Sequence, residues 1–111
     1  MIFMEIASEK EKDWVVVSVT GRIDAVTAPE FEKALAEQVA RGEKNFLLNF
    51  IGLDYISSAG LRSILATAQK LKPGGGKMIF SGLRGTVRDI FQISGFATMF
   101  KILDTREDAL K

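Results

Sequence analysis

The chain has 111 residues, 47% of them hydrophobic and 26% charged, and carries a formal net charge of +1. This length and composition predict one folded domain over residues 1–111, and the near-zero net charge argues against a dedicated surface for nucleic acid or anionic membranes. Because cysteine and histidine are both absent, disulfides, thiolate metal sites and a Ser-His-Asp triad are excluded, which favours a binding protein without catalytic or metal-binding residues.

A two-stranded antiparallel hairpin is predicted at the start of the chain. Residues 2–7 and 14–20 are rich in apolar and β-branched side chains, and the charged segment 8–13 separates them. The first residues lack the basic start and long apolar centre of a signal peptide, and no apolar run approaches the length that spans a membrane. We therefore expect a cytoplasmic protein.

The first helix is predicted to begin with a capping box in the run Thr27-Ala28-Pro29-Glu30. In such a box, the Thr27 hydroxyl and the Glu30 carboxylate accept hydrogen bonds from backbone N–H groups that have no partner inside the helix. One apolar face continues through Phe31, Leu35 and Val39. The helix should end near residue 42, which is glycine.

A buried strand followed by an amphipathic helix forms the centre of the predicted fold. Residues 44–50 include an apolar run typical of a strand covered on both faces. Apolar residues then recur with helical spacing from about residue 58 to residue 71, at Leu61, Ile64, Leu65, Ala68 and Leu71. The segment 73–76 contains one proline and three glycines, so a turn is expected there.

The remaining elements complete an alternation of strands and helices. A strand is predicted over residues 77–81, a short helix around 87–94, a short strand over 99–103 and a final helical turn or two within 104–111. After an initial hairpin, this alternation predicts an α/β fold with a mixed, mostly parallel sheet of about four to five strands and three to four helices. Periodicity alone leaves open whether the helices cover one face of the sheet or both.

Two adjacent hydroxyl groups stand where the central strand gives way to the amphipathic helix. Ser57 and Ser58 precede Leu61, the first apolar residue of that helix, so both are expected near its N-terminus. The first backbone N–H groups of a helix have no internal partner and carry partial positive charge, so a hydroxyl can cap them and a phosphate can be held there. On the residues alone, a simple capping role and a modification site both fit.

Three motifs follow one another along the chain. They are Gly21-Arg22-Ile23-Asp24-Ala25-Val26-Thr27-Ala28, then Asp54-Tyr55-Ile56-Ser57-Ser58-Ala59-Gly60-Leu61-Arg62, then Phe91-Gln92-Ile93-Ser94-Gly95-Phe96. Together they resemble the signatures of the anti-sigma factor antagonists, which are members of the STAS domain family, and the resemblance covers nearly the whole chain. It implies a single STAS-type domain with its helices mainly on one face of the sheet.

The resemblance also implies which residues act. Ser58 is the implied phosphorylated residue, because it lies two positions before the Gly-Leu pair of the second motif. Ser57 stands where the family usually has an aspartate, and it is an alternative acceptor. The implied partner-binding residues are Asp24, Thr27, Ser57, Ser58, Ala59, Gly60 and Arg62.

Simpler roles remain open for several of these residues. Asp24 fits a turn residue, Thr27 fits a helix cap, and Arg62 fits a solvent-exposed charge one turn after Ser58. Gly60 fits either the close approach of a partner backbone or a glycine tolerated in a first helical turn. Because loops at the carboxyl ends of parallel strands meet at one edge of a sheet, we expect Asp24 and Ser58 to share one exposed surface.

The function implied by the resemblance is that of an anti-sigma factor antagonist. The unphosphorylated form would bind an anti-sigma factor with serine kinase activity and free a sigma factor, phosphorylation of Ser58 would end the complex, and a serine phosphatase would restore it. ATP would be bound by the kinase, so no cofactor is expected in this chain, nor direct contact with nucleic acid or a membrane. The alternative is a STAS structural subunit bound to a transport ATPase, without a phosphoswitch. An enzyme with a serine nucleophile lacks an evident base.

Overall fold

A six-stranded mixed sheet organises the computed structural model, which describes residues 3–111. The strands are β1 (Met4–Glu11), β2 (Trp14–Ile23), β3 (Asn45–Asn49), β4 (Leu53–Ile56), β5 (Lys77–Ser81) and β6 (Lys101–Leu103). The helices are α1 (Ala28–Ala40), α2 (Ser58–Leu71), α3 (Gly85–Ile93), α4 (Phe96–Met99) and α5 (Arg106–Ala109), and a short 3-10 turn, Lys72–Gly74, follows α2. The predicted α/β architecture is confirmed, but residues 3–111 form six strands and five helices where the sequence predicted four to five strands and three to four helices.

The sheet is antiparallel only at its first pair of strands. β1 and β2 form the predicted hairpin, and the sheet then runs β1-β2-β3-β5-β6 with parallel neighbours. β2 is long enough to pair with two strands in succession, β3 along its first half and β4 along residues 21–23. The predicted start of β1 at Ile2 lies outside the described residues.

The two faces of the sheet are covered unequally. Val15, Val17 and Val19 of β2 face the main core, which receives the buried sides of α1, α2, α3 and α4. Val16 faces the other side and joins a small cluster with Leu110, the residue that follows α5. Because successive side chains of a strand point to opposite faces, the apolar run of β2 supplies both layers. The implied placement of the helices mainly on one face is confirmed.

Two local elements differ from the sequence-based prediction. Residues 53–56, to which the sequence assigned no element, form β4, because this short segment continues the parallel ladder beside β2. The segment after Gly95 does not pass directly into a strand, because α4 intervenes before β6. Gly95 has a φ of +83°, the left-handed conformation that glycine adopts readily, and it separates α3 from α4.

The helices in the described part of the chain are too short, or too polar, to cross a bilayer.

Candidate functional site

The loop after β2 and the junction between β4 and α2 lie side by side at one edge of the sheet. Ile23 pairs with Ile56 in the parallel ladder, and the Ser57 N–H donates to the Ile23 carbonyl oxygen at 2.8 Å. Asp24 and Ser58 therefore follow neighbouring strand ends. The strand beside β2 at this edge is β4, since β3 pairs only with the first half of β2.

The two serines have different environments. Ser57 occupies the N-cap position of α2 with an extended backbone, φ −93° and ψ 174°, and its carbonyl accepts from the Leu61 N–H at 3.1 Å. Its hydroxyl forms no capping bond, and Oγ is buried without a hydrogen-bond partner in the described structure. Ser58 is the first residue of α2 and is exposed. Ser57 is thus an N-cap by position only, while Ser58 presents its side chain at the surface.

Gly60 sets how closely α2 lies on the sheet. The residue is buried, and a Cβ atom placed on it would lie 2.7 Å from Ile23 Cγ2 and 2.7 Å from Ile56 Cγ1. The close approach that this glycine permits is therefore to β2 and β4. Beside it, Ala59 is half-buried and Arg62 is exposed, as its helical position predicted.

The turn that leads from β2 into α1 is held by Asp24 and Thr27. Asp24 Oδ1 accepts from the Val26 N–H at 3.0 Å and from the Thr27 N–H at 3.1 Å. Thr27 Oγ1 accepts from the Asp24 N–H at 2.9 Å and donates to the Arg22 carbonyl oxygen, also at 2.9 Å. These reciprocal bonds fix the loop at the edge where Ser58 lies.

The predicted capping box is wrong. Thr27 has helical dihedrals, φ −92° and ψ −19°, and its hydroxyl makes no capping bond to α1 because it faces back toward the end of β2. No hydrogen bond joins the Glu30 carboxylate to the helix start among the described residues. Thr27 is only 7% exposed, so it shapes the loop from within.

Asp24 carries a stable negative charge at this edge. The hydrogen bond from the Thr27 backbone N–H holds the pKa of the Asp24 carboxyl below its usual range. The Val26 N–H, the Thr27 hydroxyl and the charge of Arg22 act in the same direction, while partial desolvation opposes them. Asp24 is therefore ionised at neutral pH.

Arg22 and Tyr55 belong to this surface, and the sequence reasoning assigned neither of them to it. The Arg22 guanidinium lies 4.5 Å from the centre of the Tyr55 ring, and its Nε is 3.9 Å from Asp24 Oδ2. The alternation of β2 could have indicated this position, because Ile23 faces the core and its neighbour must face outward. A second arginine, Arg84, pairs with Asp54 at 3.0 Å and so reduces the free charge of that carboxylate.

A shallow groove of about 530 Å³ between α1 and α2 adjoins the turn. Its floor consists of small residues, and its rim carries both signs of charge. Within the groove, the Ser63 hydroxyl donates to Glu32 Oε1 at 2.9 Å and links the two helices. The lining residues are Ala25, Ala28, Pro29, Glu32, Lys33, Ala36, Ala59, Arg62 and Ser63. We call this groove together with Asp24 and Ser58 the α1–α2 surface.

The chain matches proteins of one family over nearly its whole length. The family model described as STAS domain matches residues 5–109. A putative anti-sigma factor antagonist of Bordetella bronchiseptica is 36% identical over 106 residues, which cover 96% of this chain and 91% of that protein. An anti-sigma-F factor antagonist of Mycobacterium tuberculosis is 31% identical over 98 residues, which cover 86% of this chain and 77% of that protein.

A solved structure shares the same fold. The crystal structure of an anti-sigma factor antagonist from Mycobacterium paratuberculosis superposes with a TM-score of 0.87 at 30% sequence identity. The superposition covers 97% of this chain and 92% of the other.

Proposed function

The chain belongs to the STAS domain family, and on this premise we propose that it is an anti-sigma factor antagonist whose binding is controlled by phosphorylation of Ser58. Relatives at 36% and 31% identity bear the name of such antagonists. The STAS anti-sigma factor antagonists are regulatory binding proteins and not enzymes, so this chain is not an enzyme.

The observation that carries the proposal is the contrast between the two serines. A kinase must reach the hydroxyl that it modifies, and Ser58 is exposed at the first residue of α2. The Ser57 hydroxyl is buried beside the end of β2, so phosphorylation there would require the junction to open. Accessibility therefore supports Ser58 over Ser57 as the acceptor.

The proposed switch is electrostatic. A phosphate on Ser58 adds about −1.5 to −2 charges at pH 7 and sits at the partly positive N-terminus of α2, where it is compatible with the fold. Asp24 at the same edge is already ionised. A partner that docks against this edge would then meet two negative groups, and repulsion together with the cost of desolvating the phosphate would oppose binding.

The proposed partner is an anti-sigma factor with serine kinase activity. Its contacts would fall on the accessible parts of the α1–α2 surface, namely the exposed Ser58 and Arg62 and the half-buried Asp24 and Ala59. Thr27, Ser57 and Gly60 would act from inside, by holding the loop and the start of α2. Binding of the unphosphorylated form would free a sigma factor in the cytoplasm, and a serine phosphatase would regenerate that form.

The acceptor is tested by intact-mass analysis after incubation with ATP, magnesium and the kinase captured on the immobilised domain. We expect one phosphate on the parent protein, none on Ser58→Ala and one on Ser57→Ala. The last variant is a matched control, because it removes a hydroxyl that makes no hydrogen bond. Full phosphorylation of Ser58→Ala would show that the acceptor is assigned wrongly.

The switch is tested by measuring kinase affinity for Ser58→Asp. We expect affinity to fall at least about tenfold while the melting temperature stays near that of the parent, since an acidic group suits a helix N-terminus. Parental affinity would argue against charge control at this position. Phosphorylation of neither serine, with stable binding to a transport ATPase, would favour a structural subunit instead.

A further inference from the structure

The charge of the chain is unevenly distributed along its length. Residues 55–103 contain seven lysine and arginine side chains and a single acidic residue, Asp89. The formal net charge of +1 conceals this asymmetry, because most acidic residues lie before residue 55 or after residue 103. The second half of the fold therefore presents an excess of positive charge.

Three lysines of this segment and Lys44, which lies outside it, gather at the end of the sheet opposite Ser58. Lys77 and Lys101 are the first residues of β5 and β6, and Lys72 follows α2. Lys44 precedes β3, and its carbonyl oxygen accepts from the Lys77 N–H at 2.9 Å. All four are exposed, and none of them takes part in the ion pairs found within residues 3–111. Their charge is therefore not compensated inside the described part of the chain.

Three of these lysines surround a groove with an apolar floor, which we call the lysine groove. It encloses about 530 Å³ between the end of α2 and the start of β6. Met99 lies on its wall and is 59% exposed, an unusual exposure for a long apolar side chain. The lining residues are Ala68, Leu71, Lys72, Gly75, Gly76, Lys77, Met78, Ile79, Met99, Phe100 and Lys101.

We propose that the lysine groove is a second docking surface, which binds an acidic protein segment that inserts apolar side chains between the lysines. Lysines without an ion-pair partner attract carboxylates, and the burial of aliphatic side chains on the apolar floor is energetically favourable. A methionine at such a surface adapts to side chains of different shape.

The chemistry of the groove favours a peptide over other anionic partners. Among residues 3–111, the charged side chains that line it are all lysines, so this part of the chain offers no arginine fork to bind a phosphate group in two-point geometry. Its apolar residues line a concavity, whereas a protein that lies on a bilayer projects an apolar face outward. An acidic segment with apolar residues matches both the charge and the shape.

The lysine groove and the α1–α2 surface share no lining residue, so both can be occupied together. Ser58 begins α2 and Leu71, which lines the lysine groove, ends it, and the 14 residues of this helix span about 21 Å. The proposal is therefore independent of the phosphoswitch and concerns a different part of the molecule. It gives the domain a way to remain attached to one protein while it exchanges another.

The proposal is tested with a fluorescein-labelled peptide built from the repeat Glu-Glu-Leu-Leu, titrated against the full chain by fluorescence anisotropy. We expect saturable binding that weakens as salt is raised. Lys77→Glu/Lys101→Glu should lower the affinity about tenfold, and Met99→Gln should lower it severalfold. Lys111→Glu, which changes an exposed lysine that does not line the groove, is the charge control and should bind like the parent. Amide shifts in NMR spectra should cluster around residues 72–77 and 99–101.

Three results would overturn the proposal. The first is absence of saturable binding to the Glu-Glu-Leu-Leu peptide. The second is equal binding of the peptide by the parent and by the double variant Lys77→Glu/Lys101→Glu, when circular dichroism shows that both proteins are folded. The third is stronger, groove-dependent binding to phosphatidylserine vesicles or to a single-stranded oligonucleotide, which would assign the surface to a membrane or to nucleic acid.

Discussion

Replacing Gly60 by alanine raises the helix propensity at the start of α2 but adds a methyl group where the packing leaves too little space for it. Alanine favours a helix interior over glycine by about 0.8–1 kcal/mol, so local propensity alone predicts a more stable protein. The new Cβ, however, would lie 2.7 Å from Ile23 Cγ2, 2.7 Å from Ile56 Cγ1 and 3.1 Å from Ile56 Cδ1. Carbon atoms pack best at about 3.5–4.0 Å, so α2 or both isoleucines must move.

We expect the free-energy cost of over-packing to exceed the gain from helix propensity. The contacted atoms belong to buried, β-branched side chains with little rotamer freedom, and over-packing of such sites costs about 1–3 kcal/mol. Because two contacts fall below 3 Å, the upper part of this range, about 1.5–3 kcal/mol, applies, and subtracting the propensity gain leaves a net loss of about 0.5–2 kcal/mol. For a chain of this length, that loss corresponds to a fall in melting temperature of about 2–8 °C.

Thermal unfolding followed by circular dichroism measures the effect. Gly74→Ala is the matched control, because a Cβ there would meet only Lys44 Cε, at 3.8 Å, and its stability should change by less than about 0.5 kcal/mol. In an Ile56→Ala background, the cost of Gly60→Ala should be smaller, because one of the two crowded side chains is removed. An unchanged or raised melting temperature for Gly60→Ala would refute the reasoning.

Three further changes test the fold and the loop. Asp24→Asn should reduce the loss of stability that the parent shows below about pH 4. The pKa of Asp24 is lower in the folded chain than its unfolded value of about 3.9, so the stability that the carboxylate contributes is present above that value and is lost as pH falls through the folded pKa. An unchanged slope in acid melting experiments would contradict this. Thr27→Val should lower the free energy of unfolding in urea by about 1–3 kcal/mol, because it leaves the Arg22 carbonyl and the Asp24 N–H without their side-chain partner. An unchanged free energy of unfolding would show that water replaces the hydroxyl. Leu110→Ala should lower the free energy of unfolding by about 2–3 kcal/mol in the same assay, because the small core under α5 contributes to global stability. Protease cleavage confined to the C-terminus would show instead that α5 detaches by itself.

Local patterns were sufficient for the regular elements. The prediction of α2 agrees with its observed bounds, because apolar residues at helical spacing and a glycine-rich end are both visible within one short segment. β5 was predicted with equal accuracy from its apolar run. The motif resemblance then indicated Ser58 as the proposed acceptor, which the residues alone left undecided between a cap and a modification site.

Hydroxyl groups were harder to predict than apolar faces. Thr27 and Ser57 both stand at helix starts, where capping is the usual role, yet neither side chain caps. The Thr27 hydroxyl donates to the Arg22 carbonyl oxygen of β2, and the Ser57 hydroxyl is buried without a partner at a junction whose backbone bonds to Ile23 of β2, so both environments depend on a strand outside the helix. The preference of serine and threonine for helix N-cap positions takes no account of contacts with a neighbouring strand.

The sequence by itself determined the order and type of most elements, the apolar faces that build the core, and the family to which the chain belongs, because these depend on periodicity and motifs within short segments. Only the tertiary structure decided that β4 extends the sheet beside β2, that the Ser57 hydroxyl is buried while Ser58 is exposed, and that Arg22 lies over Tyr55. It also brought Lys72, Lys77 and Lys101 around one groove. The physical reason is that burial, hydrogen-bond partners and charge clusters arise from contacts between segments that are far apart in the chain, and a local pattern carries no information about them.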